Sequence, residues 1–194
     1  MAATRLPNKP LLRINNKSLI MHVYEKAKLS NVGEVYVATC DDEIFNEVTK
    51  NGGKCLKTDA SHQTGTDRIF DAFKKLDLKN INYVINLQGD EPLIDTNDIQ
   101  NLNIKTINNN SDMATLACNI DDDKIFENEN IVKVITNKKI DKNNTSKAIK
   151  FLRKIKNHDK KNIYHHIGIY IYKPSILKKF VQLQQTKGEK KERL

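Results

Sequence analysis

Alternation of apolar strand-like runs with amphipathic helical segments predicts an α/β fold, a sheet covered by helices. Two observations carry this. Val-rich Glu34–Thr39 and the short Tyr83–Leu87 run (YVINL) are bounded by turn-forming residues. Between them lie segments with apolar residues at helical spacing. At 194 residues the chain can build a substantial core in one domain.

In chain order, Ser18–Leu29 reads as a helix through Leu19, Ile20, Val23 and Ala27, with Ser18 at the N-cap. Glu34–Thr39 is a buried strand ending at Asp41-Asp42. Asp42–Asn51 is a helix with Ile44, Phe45 and Val48 inward, stopped by Gly52-Gly53. A short strand follows at Lys54–Lys57. Thr66–Leu76 is amphipathic through Ile69, Phe70, Phe73 and Leu76, with Thr66 available as its cap. Tyr83–Leu87 is a strand of the kind found at the centre of a parallel sheet. Asn97–Ile107 is helical, Met113–Ile120, Ile131–Thr136 and Ile167–Tyr172 are strands, and Pro174 opens a final helix. The Lys-, Asn- and Asp-rich stretch Lys138–Asn162 reads as including an exposed loop or flap.

The net charge of +9 is carried almost wholly by lysine. Arginine is the side chain suited to bidentate phosphate and base contacts, so its scarcity argues against a nucleic-acid binder. No apolar run has the length of a membrane span, and the first residues lack the layout of a secretory signal. Cys40, Cys55 and Cys118 are well separated, which suits free thiols in a cytoplasmic protein.

Four segments can carry chemistry. Gln88-Gly89-Asp90-Glu91-Pro92 follows the YVINL strand directly. Ligands collect at the carboxyl ends of strands in open α/β sheets, and a carboxylate there can hold Mg2+ on nucleotide phosphates. The same residues also read as an ordinary strand-ending turn. Arg5 and Lys9 lie on a segment stiffened by Pro7 and Pro10, where they can grip a triphosphate or stand solvated. His62–Arg68 (HQTGTDR) joins a loop to a helix N-terminus, where Gly65 permits close approach and free amides can meet an anion or a base edge. His165 and His166 are neighbours on a strand and point to opposite faces, which disfavours joint metal ligation and leaves one as a polar substrate contact.

The segments TRLPNKPL, VATCDDEI, HQTGTDR, NLQGDEP, MATLACNI and HHIGIYIYK, in this order, resemble blocks of the 3-deoxy-manno-octulosonate (Kdo) cytidylyltransferase family. The resemblance implies a three-layer, Rossmann-like and GT-A-like nucleotidyltransferase domain over residues 1–194. It also implies a sheet extension at 113–173 for sugar binding and homodimerisation. The implied reaction joins CTP to Kdo, with Mg2+ as cofactor, in lipopolysaccharide biosynthesis. Carried over by position, Lys9 and Asp90 are catalytic and Asp90 binds the metal. Arg5 and Lys9 face the triphosphate, while Gly65, Thr66, Arg68 and Gln88 border the cytidine. His166 and Arg153 face the sugar.

The chain departs from the family pattern in three places. An apolar strand ending in Pro-Ala-Arg is expected before Met1, and a Gly-Val-Asp-Thr-Pro segment with a second metal carboxylate is expected after Leu194. A Ser-Arg-x-x-Ile-Pro block is poorly kept around Leu152–Asn157. Alternatives are another acidic sugar, such as an 8-amino Kdo analogue or a sialic acid, and an inactive nucleotide-binding or dimerising remnant.

Overall fold

The computed structural model describes residues 8–62, 64–155 and 161–192. After a 3-10 turn at Lys9–Leu11, the elements in chain order begin with β1 (Arg13–Ile14), β2 (Lys17–Ser18), α1 (Leu19–Leu29), β3 (Val37–Thr39) and α2 (Asp42–Lys50). Next come β4 (Cys55–Lys57), α3 (Gly65–Leu76), β5 (Val84–Leu87), α4 (Thr96–Asn108) and β6 (Met113–Cys118). The chain continues through α5 (Lys124–Glu127), β7 (Lys133–Thr136), β8 (Ala148–Leu152), β9 (Ile163–Tyr172), α6 (Pro174–Phe180) and α7 (Lys187–Glu192). The predicted α/β class is the one found.

Two compact units divide these elements, one formed by residues 1–114 with 169–182, the other by 115–168 with 183–194. In the first, β3 and β4 pair in parallel, Val37 opposite Cys55 and Thr39 opposite Lys57. β5 pairs antiparallel with the second half of β9, Val84 opposite Tyr172 and Leu87 opposite Ile169. The parallel environment expected for Tyr83–Leu87 is therefore not the pairing observed. A short continuous apolar run reports burial on both faces and carries no information on strand direction.

A core of Ile20, Met21, Tyr24 and Val48 knits α1 to α2, with Val35, Val37, Ile44 and Cys55 packed against it. Gly53 turns the chain out of α2 so closely that a Cβ there would lie 2.6 Å from Val48 Cγ1. Ile169, Ile171, Tyr172 and Leu177 are buried around β9 and α6.

In the second unit β7 pairs antiparallel with β8, with a register irregularity between Ile135 and Thr136, and with the first half of β9. Phe126, Ile155 and Ile163 form its apolar cluster. β8 runs through the stretch expected to include a loop or flap. Its lysine-rich composition masks Ala148, Phe151 and Leu152, which are partly buried.

Pro174 does open a helix, but α7 follows it. Ser18 occupies the N-cap position of α1, yet its hydroxyl makes no cap hydrogen bond and is buried without a partner among the described residues. No helix of the described residues is long and apolar enough to cross a membrane.

Candidate functional site

All the contacts of the first cluster lie within the first unit. β5 ends at Leu87, and the chain then turns through Gln88-Gly89-Asp90-Glu91. Gly89 passes close to α1: a Cβ there would sit 2.9 Å from Ile20 Cδ1, so the end of that side chain would have to shift. Glycine thus lets this turn rest on the helix surface and presents the neighbouring carboxylates.

Lys9 meets this turn from the opening segment. Its Nζ donates to Asp90 Oδ2 at 2.7 Å, with the two side chains 36% and 47% exposed. Residues 81 positions apart therefore converge on one surface, as the nucleotide reading requires. Glu91 stands beside them, its carboxyl pushed above the usual carboxylate range first by burial and then by the charge of Asp90. Arg5 lies outside the described residues.

The start of α3 comes to the same place. A Cβ on Gly65 would meet Gln88 Nε2 at 3.6 Å and Oε1 at 3.7 Å, so the glycine backbone lies against the amide of Gln88. The helix cap is Thr64, correcting the expectation for Thr66. Thr64 Oγ1 accepts from Asp67 N at 3.1 Å, and Asp67 Oδ2 accepts from Thr64 N at 3.0 Å, a reciprocal capping box. The Thr-x-x-Asp spacing was the readable signal. The Thr66 side chain lies beside Tyr172, a fully buried phenol whose pKa is raised chiefly by that burial. Arg68 turns back to the preceding loop, donating to Thr58 Oγ1 at 2.6 Å and to the Asp59 carbonyl at 3.3 Å.

One residue in this region, Asp71, and its pairing with His62 carry no signal in sequence. Asp71 Oδ2 accepts from the Asp59 amide at 3.1 Å and from His62 Nε2 at 3.0 Å, and it pairs with Lys75 Nζ at 3.1 Å. Its carboxyl is held far below the usual range, chiefly by the His62 hydrogen bond. Only the folded loop brings His62 and Asp71 together.

His166 and Arg153 both lie in the second unit. His166 Nε2 is 2.9 Å from Thr115 Oγ1, and its ring meets Phe151 edge-on with centroids 5.0 Å apart. Burial, with some help from His165, lowers its pKa to about 4, so the imidazole is neutral near pH 7. His165 stands by Cys118, its Nδ1 3.7 Å from Sγ. The neighbouring histidines thus have different partners, as strand alternation requires.

Arg153 Nε donates to the Glu192 carbonyl at 2.6 Å and one Nη donates to the Glu129 carbonyl at 3.0 Å. Its own carbonyl accepts from Lys133, whose buried ammonium also donates to the carbonyls of Asn128 at 2.6 Å and Ile131 at 2.8 Å. Lys9, Asp90, Gln88 and Gly65 are accordingly brought together around the β5 turn, with Thr66 and Arg68 on the same helix as Gly65.

Comparison with known proteins gives the same family by independent routes. The cytidylyltransferase family model matches residues 1–194. A 3-deoxy-manno-octulosonate cytidylyltransferase of Thermodesulfovibrio yellowstonii is 44% identical over 206 residues, covering 99% of this chain and 79% of the relative. The enzyme of that name from Brucella anthropi is 37% identical over 195 residues, covering all of this chain and 78% of the relative. The solved structure of CMP:2-keto-3-deoxy-manno-octonic acid synthetase complexed with CTP superposes with a TM-score of 0.85 at 35% identity, over 100% of this chain and 78% of that one. This chain belongs to the 3-deoxy-manno-octulosonate cytidylyltransferases, a family of nucleotidyltransferases.

Proposed function

We propose that the protein transfers the cytidylyl group of CTP to Kdo, giving CMP-Kdo and pyrophosphate for lipopolysaccharide biosynthesis. The observation that carries the site assignment is the 2.7 Å contact between Lys9 and Asp90. It puts a cation from the opening segment and a carboxylate from the β5 turn on one surface beside Gly65 and Gln88.

In the reaction, the anomeric hydroxyl of the sugar attacks the α-phosphorus of CTP. The bond from that phosphorus to its bridging oxygen breaks, and pyrophosphate leaves with the electron pair. The hydroxyl proton passes to solvent or a nearby base. Such chemistry depends on positioning and on neutralising phosphate charge.

Lys9, with Arg5 from the same segment, would hold the triphosphate. Gly65 and Gln88 would border the pyrimidine ring, Gly65 by admitting it without a side chain in the way. Thr66 and Arg68 would fix the shape of that border, Thr66 through Tyr172 and Arg68 through Thr58 and Asp59.

Asp90 fits a Mg2+ ligand. It is a half-exposed hard oxygen donor with Glu91 beside it, and ions of this kind are held by one or two carboxylates together with substrate phosphates and water. Bound there, the metal would supply charge neutralisation to the phosphates. Among the described residues no group of three His, Cys, Asp or Glu side chains is placed as a metal cage.

His166, neutral and held beside Thr115, would contact the sugar, and Arg153 would meet its carboxylate. The family resemblance extends the proposal to a cytoplasmic homodimer assembled through the extension at 113–173.

The test is pyrophosphate release with CTP, Mg2+ and Kdo, run beside ATP, UTP and sialic acid. Release confined to CTP with Kdo supports the proposal. Equal release with sialic acid, or none with any pair, contradicts it.

A further inference from the structure

Three donors from different parts of the chain converge on one oxygen, Asp71 Oδ2. They are the Asp59 amide at 3.1 Å, His62 Nε2 at 3.0 Å and Lys75 Nζ at 3.1 Å. The first two belong to the loop between β4 and α3. Lys75 lies one turn further along α3 and helps hold the carboxylate charged. Arg68, three residues before Asp71 and so on the same face of the helix, staples that loop a second time through Thr58 and Asp59. Asp59 in turn accepts from the Ser61 amide at 2.8 Å. Thr58, Asp59 and His62 of the loop before Thr64 are therefore tied to α3. Gly65 itself lies against Gln88.

We propose that Asp71 is a positioning residue for the nucleotide, holding the loop before α3 so that Gly65 and Gln88 keep the spacing a pyrimidine base needs. The inference rests on the assignment of Gly65 and Gln88 to the cytidine border. Asp71 itself touches no substrate. Its side chain is only 13% exposed, and its bonds are spent within the loop and helix. Charge-assisted hydrogen bonds of this kind are roughly twice as strong as neutral ones, so one carboxylate can fix a loop of this length. Freed of it, the loop would sample other positions, and CTP would bind only to the fraction correctly placed.

The experiment compares wild type, Asp71→Ala, Asp71→Asn, Asp71→Glu and His62→Ala. CTP affinity is measured by calorimetry, steady-state constants for CTP and Kdo are determined separately, and backbone amide exchange is followed in the free protein. Asp71→Ala is expected to weaken CTP binding about tenfold, and Asp71→Asn and His62→Ala about threefold, by loss of charge-assisted hydrogen bonds. The KM for Kdo and the kcat at saturating CTP should stay within about twofold, because only the populated fraction of the competent loop changes. Exchange should accelerate at Asp59 and Ser61 and remain slow in α4. Asp71→Glu, which keeps the charge, should recover part of the loss.

Wild-type affinity in both Asp71→Ala and Asp71→Asn overturns the proposal. So does weakening matched by faster exchange throughout α4 and β9, since that is general destabilisation. Failure of the wild type to bind CTP would overturn the nucleotide assignment itself, while unchanged exchange at Asp59 in Asp71→Ala would separately sink the claim that this carboxylate holds the loop.

Discussion

Replacing Lys9 and Asp90, singly and together, probes the arrangement on which the nucleotide site rests. In the free protein the two side chains neutralise each other at 2.7 Å, 36% and 47% exposed. Pairs this exposed contribute at most about 1 kcal/mol, so the contact is a weak competitor of any ligand. CTP bound with a metal should exchange it for two stronger interactions: Lys9 with a phosphate oxygen, and Asp90 with the cation.

Lys9→Met removes one charge-assisted hydrogen bond to phosphate, worth about 1.5–3 kcal/mol, and should weaken CTP binding about 10- to 150-fold. Asp90→Asn should have opposite effects with and without metal. Without Mg2+ it releases Lys9 and removes a negative charge near the phosphates, tightening CTP by up to about fivefold. With Mg2+ it should remove most of the gain that the metal brings to wild type. The double variant separates the causes: whatever tightening survives in the Lys9→Met background is general charge repulsion, and the remainder is the released pair. Isothermal titration calorimetry of the four proteins, each with Mg2+ and with EDTA, measures every term. Wild-type Mg2+ dependence in Asp90→Asn would rule out a metal on Asp90, and wild-type CTP affinity in Lys9→Met would rule out a phosphate contact for Lys9.

Thr64→Ala removes one half of the capping box at α3 and should cost about 1 kcal/mol of stability by denaturant unfolding, whereas Thr66→Val leaves the cap intact and should affect Tyr172 instead. His166 gives the protein a pH-dependent stability. Its folded pKa, about 4, lies below its ordinary 6.5, so the unfolded chain takes up the proton first. This contribution is fully present above about pH 6.5 and is lost as pH falls towards 4, amounting to about 3 kcal/mol across that window. His166→Gln should flatten much of the slope in thermal melts between pH 7 and 4, leaving a residue from His165, whose pKa is lowered in the same direction by burial and by Lys133.

Helices with a clear apolar stripe were legible in sequence to within a residue or two. Asp42–Lys50 and Gly65–Leu76 match the expected spans because Ile44, Phe45 and Val48, and Ile69, Phe70 and Phe73, each recur at helical spacing. Strand direction was not legible: YVINL is equally buried whichever way its neighbour runs, and β9 pairs with it antiparallel. Strand β8 was hidden because its exposed positions hold Ile149 and Lys150 within a stretch rich in Lys, Asn and Asp, so neither an apolar run nor an alternation marks it.

At the site, the turn after β5 and the opening lysine were legible as chemistry-bearing types, but their contact spans 81 residues and only the fold supplies it. The choice between Thr64 and Thr66 as cap turned on Asp67, whose spacing from Thr64 fits a capping box. His62 and Asp71 could not be paired from sequence, since they meet only after the loop folds back on α3.

The most direct measurement is a crystal structure of this chain with CTP and Mg2+. The metal is expected about 2.0–2.1 Å from an Asp90 oxygen, with Lys9 Nζ moved from Asp90 to a phosphate oxygen and the cytosine against Gly65 and Gln88. Density for CTP elsewhere on the chain, or a bound CTP beside an unchanged Lys9–Asp90 pair with no metal on the carboxylate, would contradict that arrangement.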